Sequence, residues 1–333
     1  MDDFLFKNDF NKHFSNFITE RSILKKSDFA KNFNDSDMFS LFERYTDHRP
    51  ALESDERTPL LDGDNPKLVI CFKRGVWHTW GESFTIALEW IRRNPGGVVL
   101  FLIANKFEQN DYSKYFFDLF LSYIRSIGSD AFIFDDTVDQ VSIKNFQFFL
   151  TYRRKLGYHL ISNLKDVRNK YGSEYKPFRK VYISRSKTLH KETNFTTGTD
   201  LKDIIYLNRF DDQRCDNEYQ LEQYLIRLGF EILYPEDFIN MEDQIKFFSE
   251  VKTLMSITHS GISNMIWTPD NAKIIEVTIP ILVNQQEILE YQWFELAFLL
   301  QRPYMCIPSF PGNAEDIIYK IENTPSLKNF LCE

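Results

Sequence analysis

The 333-residue chain has only 4 cysteines, and Cys71, Cys215, Cys306 and Cys332 stand far apart with no CxxC pair. A disulfide framework or a cysteine zinc site is therefore not expected. Cys71 in LVICF and Cys306 in YMCIP, inside apolar runs, read as buried free thiols of a reducing compartment. Positive charge is not in surplus either. Forty Lys and Arg against 48 Asp and Glu give a net charge of −8, with both signs interspersed. The chain thus lacks the clustered basic face that neutralises phosphates, and nucleic acid is excluded as a main partner. No apolar run approaches the about 20 residues that cross a bilayer, ELAFLL at Glu295–Leu300 being one of the longest, so no membrane span is expected. The opening MDDFLFKNDFNKHF carries acids where a secretory signal carries bases, which points to a cytoplasmic protein.

What is present is core. Apolar residues make up 43 % of the chain and aromatic ones 16 %, enough to fill two domains. Residues 1–64 scatter aromatics through polar sequence and read as short helices and a loop packed onto the first domain. From Lys67 the pattern sharpens: LVICF is a strand, FTIALEWIRR has helical spacing and stops at Asn94-Pro95-Gly96-Gly97, and VVLFLIA is a buried strand. Tyr115, Phe116, Leu119, Phe120, Tyr123, Ile124 and Ile127 line one face of a helix ended by Gly128, and AFIFDD is the next strand. Residues 143–170 read as helical, and Arg168–Lys180 as a linker.

A second alternating unit follows. KVYISRS is a strand and LKDIIYLNRF another; NEYQLEQYLIRLG is a helix with Leu221, Leu225 and Leu228 inward. FEILYP is a strand, Asn240 caps a helix carrying Ile245, Phe248 and Val251, and TLMSIT and KIIEVTIP are strands on either side of a glycine turn and a short helix. EILEYQWFELAFLL and the final segment read as helices. Alternation of this kind specifies parallel sheets covered on both faces. The divisions are 1–64, a first α/β domain at 65–170, a second at 178–310 and a helical segment at 311–333.

The chemistry concentrates in the second half. A strand running into His259-Ser260-Gly261 and then a helix presents backbone N–H groups to an anion, and the carboxyl ends of parallel strands are where such folds bind ligands. Taken alone this is an ordinary strand-to-helix connection. Arg185 ends the strand VYISR, and Arg214 precedes the helix opening at Asn217-Glu218; a guanidinium is a fork of donors suited to a diphosphate. In the first half, His78-Thr79-Trp80-Gly81-Glu82 follows the first clear strand and offers a base, or equally an ordinary polar loop between rim aromatics. Asp35-Ser36-Asp37 and Asp62-Gly63-Asp64 match the Asp-x-Asp pattern of metal-dependent sugar transfer. Both precede the first clear strand and read as solvated acids.

The ordered series VYISRSK, R-C-D-N-E, LEQYLIRLGFEILYPEDF and EDQIKFFSEVKTLMSITHSGISNMIWTPDNAKIIEV resembles the C-terminal half of family 61 glycosyltransferases over residues 181–277. The family's turn has the form His-Gly-Ala-Gly-Leu-Thr-Asn, and His259–Asn264 is one residue shorter. The resemblance implies two Rossmann-like domains facing across a cleft (the GT-B arrangement) and inverting, metal-independent transfer of a hexose or pentose, without a cofactor. The partners it implies are a nucleotide-sugar donor and a glycan or polysaccharide acceptor. Arg185 and Arg214 would hold the diphosphate. His259, Ser260, Gly261, Ser263 and Asn264 would face the donor, and Asn217, Glu218, Gln244 and Glu276 occupy motif positions at the same site. Glu82 would be the catalytic base, with His78 as its runner-up. The absent anchor looks like that of a bacterial or viral member. A glycan-binding scaffold that has lost catalysis, and a pyruvyltransferase or epimerase on a similar scaffold, are the alternatives.

Overall fold

A computed structural model describes residues 10, 14–25, 60–72, 81, 83–103, 112–134, 140–149, 160–184, 215–234, 238, 240–279, 281–283, 286–288, 292–310 and 312–332. The chain divides into two compact units, Met1–Leu164 and Lys165–Glu333, and both are mixed α/β with parallel sheets.

The first unit contains β1 (Ser22–Lys25), β2 (Leu60–Leu61), β3 (Lys67–Phe72), α1 (Thr85–Arg93), β4 (Val98–Ile103), α2 (Tyr112–Ser126), β5 (Asp130–Phe134), β6 (Gln140–Ile143) and β7 (Phe146–Phe148). Four of the strands form a wholly parallel sheet in the order β5-β4-β3-β7. Parallel sheets are covered on both faces, so their strands read as unbroken apolar runs such as VVLFLI. The helix α1 stops where Gly96 takes φ 73°. Gly97 is required by packing: a Cβ there would lie 2.5 Å from Trp90 Cζ3. That indole is 2 % exposed, and its Nε1 donates to Gln147 Oε1 at 2.9 Å, fastening α1 to β7.

Three sequence expectations change here. Residues 143–148 are strand, not helix: Val141, Ile143, Phe146 and Phe148 are all buried in one core, and Asn145, at φ 53°, turns the chain between β6 and β7. A short apolar run fits either element by periodicity, and pairing with β3 decides it. The described part of the N-terminal segment is also strand. β1 runs antiparallel to β6, β2 runs parallel to it, and Phe14 and Ile18 bridge to Phe149 and Phe146. On α2 the buried face holds Phe117, Leu119, Phe120, Tyr123 and Ile124, whereas Ile127 is 45 % exposed because the helix has already ended.

The second unit opens with α3 (Leu164–Tyr171), which straddles the boundary. It continues through β8 (Arg179–Ile183), α4 (Glu218–Arg227), β9 (Glu231–Leu233), α5 (Met241–Ser249), β10 (Val251–Ile257), a 3₁₀ helix (Ser260–Trp267) and β11 (Lys273–Thr278). The hairpin β12 (Ile281–Val283) and β13 (Gln286–Ile288) follows, then α6 (Gln292–Leu299), β14 (Tyr304–Pro308), α7 (Ala314–Asn323) and α8 (Pro325–Cys332). Five strands form a parallel sheet in the order β14-β11-β10-β8-β9. One face buries Tyr182, Met255, Ile257, Ile275, Val277 and Ile307 against Leu221 and Leu225 of α4, Ile317 and Ile321 of α7, and Leu327 and Leu331 of α8.

Helix starts follow their caps. Asn240 and Asn313 accept the N–H groups of Asp243 and Asp316 at 2.8 and 2.9 Å, which satisfies donors a helix cannot bond internally. Val251, read as the end of a helix, opens β10, and residues 287–288, read as the start of a helix, belong to β13 and pair with β12. Cys306 is exposed, because β14 is the edge strand and Cys306 lies on the face opposite the core; among the described thiols Cys215 is the buried one, and the side chain of Cys71 lies outside the description. Burial, then the neighbouring Glu218 and Asp216 charges, push that thiol up to about 12, so it stays protonated at neutral pH.

Candidate active site

Among its described strands, the sheet of the second unit changes direction once. From β8 the chain passes through α4 to β9 on one side, then through α5 to β10 on the other, and β11 and β14 continue outward. At such a reversal the two connections leave in opposite directions, and a crevice opens at the carboxyl ends of the two central strands. Here those strands are β8 and β10. Ser184, just past β8, donates its N–H to Leu233 O at 2.9 Å; β10 runs into Thr258 and His259. Arg185 follows Ser184 directly and Arg214 precedes Cys215, but both lie outside the described residues, so the structure gives them no geometry.

The turn after β10 is wired through its histidine. His259 is 6 % exposed; its Nδ1 accepts the Gly261 N–H at 2.8 Å, and its Nε2 lies 2.8 Å from Ser256 Oγ. The Ile262 N–H bonds His259 O at 3.2 Å. Ser263 Oγ donates to Ser260 O at 2.6 Å. Asn264 Nδ2 donates to Gly261 O at 2.8 Å, and Asn264 Oδ1 accepts Gln244 Nε2 at 2.6 Å, so α5 buttresses the turn. Gln244 and Asn264 are each 1 % exposed. From Ser256 to Thr268 Ser260 alone is exposed. The space in front of Gly261 is filled by the imidazole: a Cβ there would stand 2.2 Å from His259 Cε1.

Buried carboxylates flank the crevice. Asn217 adopts the left-handed conformation, φ 58°, that turns the chain into α4, and asparagine tolerates it better than most residues. Glu218, 7 % exposed, accepts Tyr182 Oη at 2.7 Å; one turn on, Glu222, 3 % exposed, accepts Ser184 Oγ. Burial and the Glu218 charge raise the Tyr182 phenol well above its ordinary pKa, so it serves only as a donor. Glu276 on β11, 1 % exposed, accepts Thr258 Oγ1 at 2.6 Å and the Tyr304 hydroxyl. Sequence reasoning passed over Tyr182, Ser184, Glu222, Thr258 and Tyr304. The available signal was spacing: Glu222 is four residues past Glu218, on the same helical face.

The other end of the 3₁₀ helix is held by charge. Arg168 Nη1 and Arg302 Nη2 each donate to Thr268 O at 2.7 Å, and both guanidinium groups reach Asp270 Oδ1, at 2.9 and 3.1 Å. Burial lowers Arg302 to about 10 despite the pull of Asp270.

The remaining candidates belong to the first unit. Glu82 and His78 lie outside the described residues; their neighbours Gly81 and Ser83 are buried, and Gly81 O accepts Thr85 Oγ1 at 2.9 Å. β3, from whose carboxyl end this segment departs, stands between β4 and β7, the reversal point of its own sheet. Asp62-Gly63-Asp64 precedes β3, at the opposite sheet edge. Asp62 pairs with Arg21 at 2.8 Å, and Asp64, 99 % exposed, with Lys144 at 3.1 Å. Asp35-Ser36-Asp37 lies outside the described residues. Among the described residues no three His, Cys, Asp or Glu side chains gather as a metal site, and no helix is long and apolar enough to cross a membrane.

A model of the Glycosyltransferase 61 family matches residues 101–275, more than half of the chain. The chain belongs to the glycosyltransferase 61 family. Membership makes it a glycosyltransferase, whose substrates are a sugar donor and an acceptor. The match begins in β4 of the first unit and ends in β11, so it takes in both β8 and β10 and the turn at His259 of this glycosyltransferase. No curated protein matches the chain.

Proposed function

We propose that this glycosyltransferase moves a hexosyl or pentosyl group from a nucleotide-sugar to a glycan or polysaccharide acceptor, with inversion and without a metal ion. In this reading the two units take the GT-B arrangement and the enzyme works in the cytoplasm. The observation that carries the reading is the reversal of strand order between β8 and β10. It brings to one sheet edge the strand end that precedes Arg185 and the turn His259–Asn264, two motifs 74 positions apart in sequence (259 − 185). In this reading Arg185 and Arg214 would supply the guanidinium groups, forks of donors that suit a departing diphosphate.

Metal-independent transfer is supported by the placement of Asp62-Gly63-Asp64 at the amino end of the other sheet, where its acids are held by Arg21 and Lys144. Inversion requires a base facing the acceptor hydroxyl. The segment with His78 and Glu82 leaves the carboxyl end of β3, the ligand-binding edge of the first sheet. A thermal-shift panel of UDP-, GDP-, CDP- and ADP-sugars tests the proposal. One donor class should raise the melting temperature in a concentration-dependent way, since a ligand of the folded state stabilises it by mass action. A flat response to all four would remove the donor site.

A further inference from the structure

The hydrogen bonds of the β10 turn fix which of its residues can meet a ligand. A ring nitrogen that accepts a hydrogen bond carries no proton, and His259 Nδ1 accepts the Gly261 N–H at 2.8 Å. The neutral ring therefore carries its proton on Nε2 and donates it to Ser256 Oγ, 2.8 Å away. Ser256 Oγ in turn lies 3.0 Å from Ile257 O, where its own hydrogen is received. Both nitrogens of His259 are thus spent inside the fold, and the Gly261 amide is spent on the ring.

Gly261 completes the arrangement. With a Cβ 2.2 Å from Cε1 and 2.7 Å from Nδ1, any other residue at 261 would expel the imidazole. Asn264 and Gln244 hold the carbonyl side of the same glycine. Ser260, exposed, is left at the crest of the turn while the residues from Gly261 to Thr268 are buried.

We propose that Ser260 is the donor contact of this turn and that His259, in its Nε2-protonated neutral form, is a positioning residue that mounts it, with Gly261 as the obligate partner of the ring. His259 then neither takes a proton in the reaction nor lends charge to the diphosphate. The assignment of Ser260 rests on the donor-site reading above; the mounting role of His259 does not.

Two measurements separate these parts. Nitrogen NMR of the full chain labelled with ¹⁵N-histidine, assigned by the loss of one ring in His259→Ala, should show His259 with a bare Nδ1 and a protonated Nε2 at neutral pH. An Nδ1-protonated ring or an imidazolium overturns the mount. The second is a double-mutant cycle read as calorimetric affinity for whichever of UDP, GDP, CDP or ADP the wild type binds. Gly261→Ala should weaken binding about tenfold or more in the native background and less than about threefold in a His259→Ala background, where the Cβ meets no ring. Equal losses in both backgrounds overturn the partnership. Ser260→Ala should weaken binding without altering the His259 signature, and unchanged affinity overturns the contact. A wild type that binds none of the four nucleotides overturns the donor-site reading and Ser260 with it, and the ring signature still decides the mount.

Discussion

Replacing Asp270 by Asn removes the one anion that, among the described residues, Arg168 and Arg302 share. Two charge-assisted hydrogen bonds shielded from water would each contribute about 1.5–3 kcal/mol. Asp270 is 63 % exposed, so its side of the pair is screened toward the at most about 1 kcal/mol of surface ion pairs. Arg302 is only 2 % exposed, and its Nε is buried without a hydrogen-bond partner among the described residues. The substitution leaves that buried guanidinium without its counter-charge, which keeps the cost at about 2 kcal/mol. For a unit of this size that is a fall of about 4–8 °C in the thermal transition.

The pH dependence gives the sharper test. Burial alone would raise the Asp270 pKa, but the hydrogen bonds and charges of Arg168 and Arg302 outweigh it and hold the carboxyl well below the usual carboxylate range. A depressed carboxyl stabilises the fold above its unfolded pKa of about 4 and loses that contribution as pH falls toward the folded value. Urea unfolding of wild type and Asp270→Asn should therefore show the full gap at pH 7 and a gap that narrows below about pH 4. Equal stability at pH 7, or a constant gap from pH 7 to 3, would refute the reasoning.

Arg185→Ala and Arg214→Ala should each weaken stabilisation by a nucleoside diphosphate, by about 1.5–3 kcal/mol per contact if the charges are shielded; calorimetric titration reads this, and unchanged affinity in both variants would count against a diphosphate at this edge. Glu82→Gln should lower turnover by about 10²–10⁴ with little change in nucleotide affinity. Near-normal turnover in Glu82→Gln with loss in His78→Ala would reverse their roles, and normal turnover in both would place the base elsewhere. Turnover should persist in EDTA; complete loss restored by Mn²⁺ or Mg²⁺ would contradict a metal-free mechanism.

The alternating strands and helices were legible because parallel strands announce themselves as apolar runs: LVICF, VVLFLI, TLMSI and KIIEV all became sheet strands. Residues 143–148 were not, because Ile143, Phe146 and Phe148 fit a buried helix as well as a strand and only the neighbouring β3 distinguishes them. The exposed position of Cys306 depends on β14 being an edge, a fact of sheet order and not of the local sequence YMCIP. At the site, His259, Gly261, Asn264 and Gln244 were legible as a motif. That Gly261 makes room for the His259 ring was not, since the ring and the glycine meet only once the turn is folded. Tyr182, Ser184 and Tyr304 carried no motif of their own, and their role as donors to buried Glu218, Glu222 and Glu276 is a product of packing.

The central claim is that the donor is held at the carboxyl edge between β8 and β10. Amide hydrogen exchange of the full chain, with and without the nucleoside diphosphate that stabilises it, tests this most directly. Exchange should slow in the peptides that contain Arg185 and residues Thr258–Asn264. Protection confined to Met1–Leu164, or to parts of the second unit away from these two segments, would contradict it.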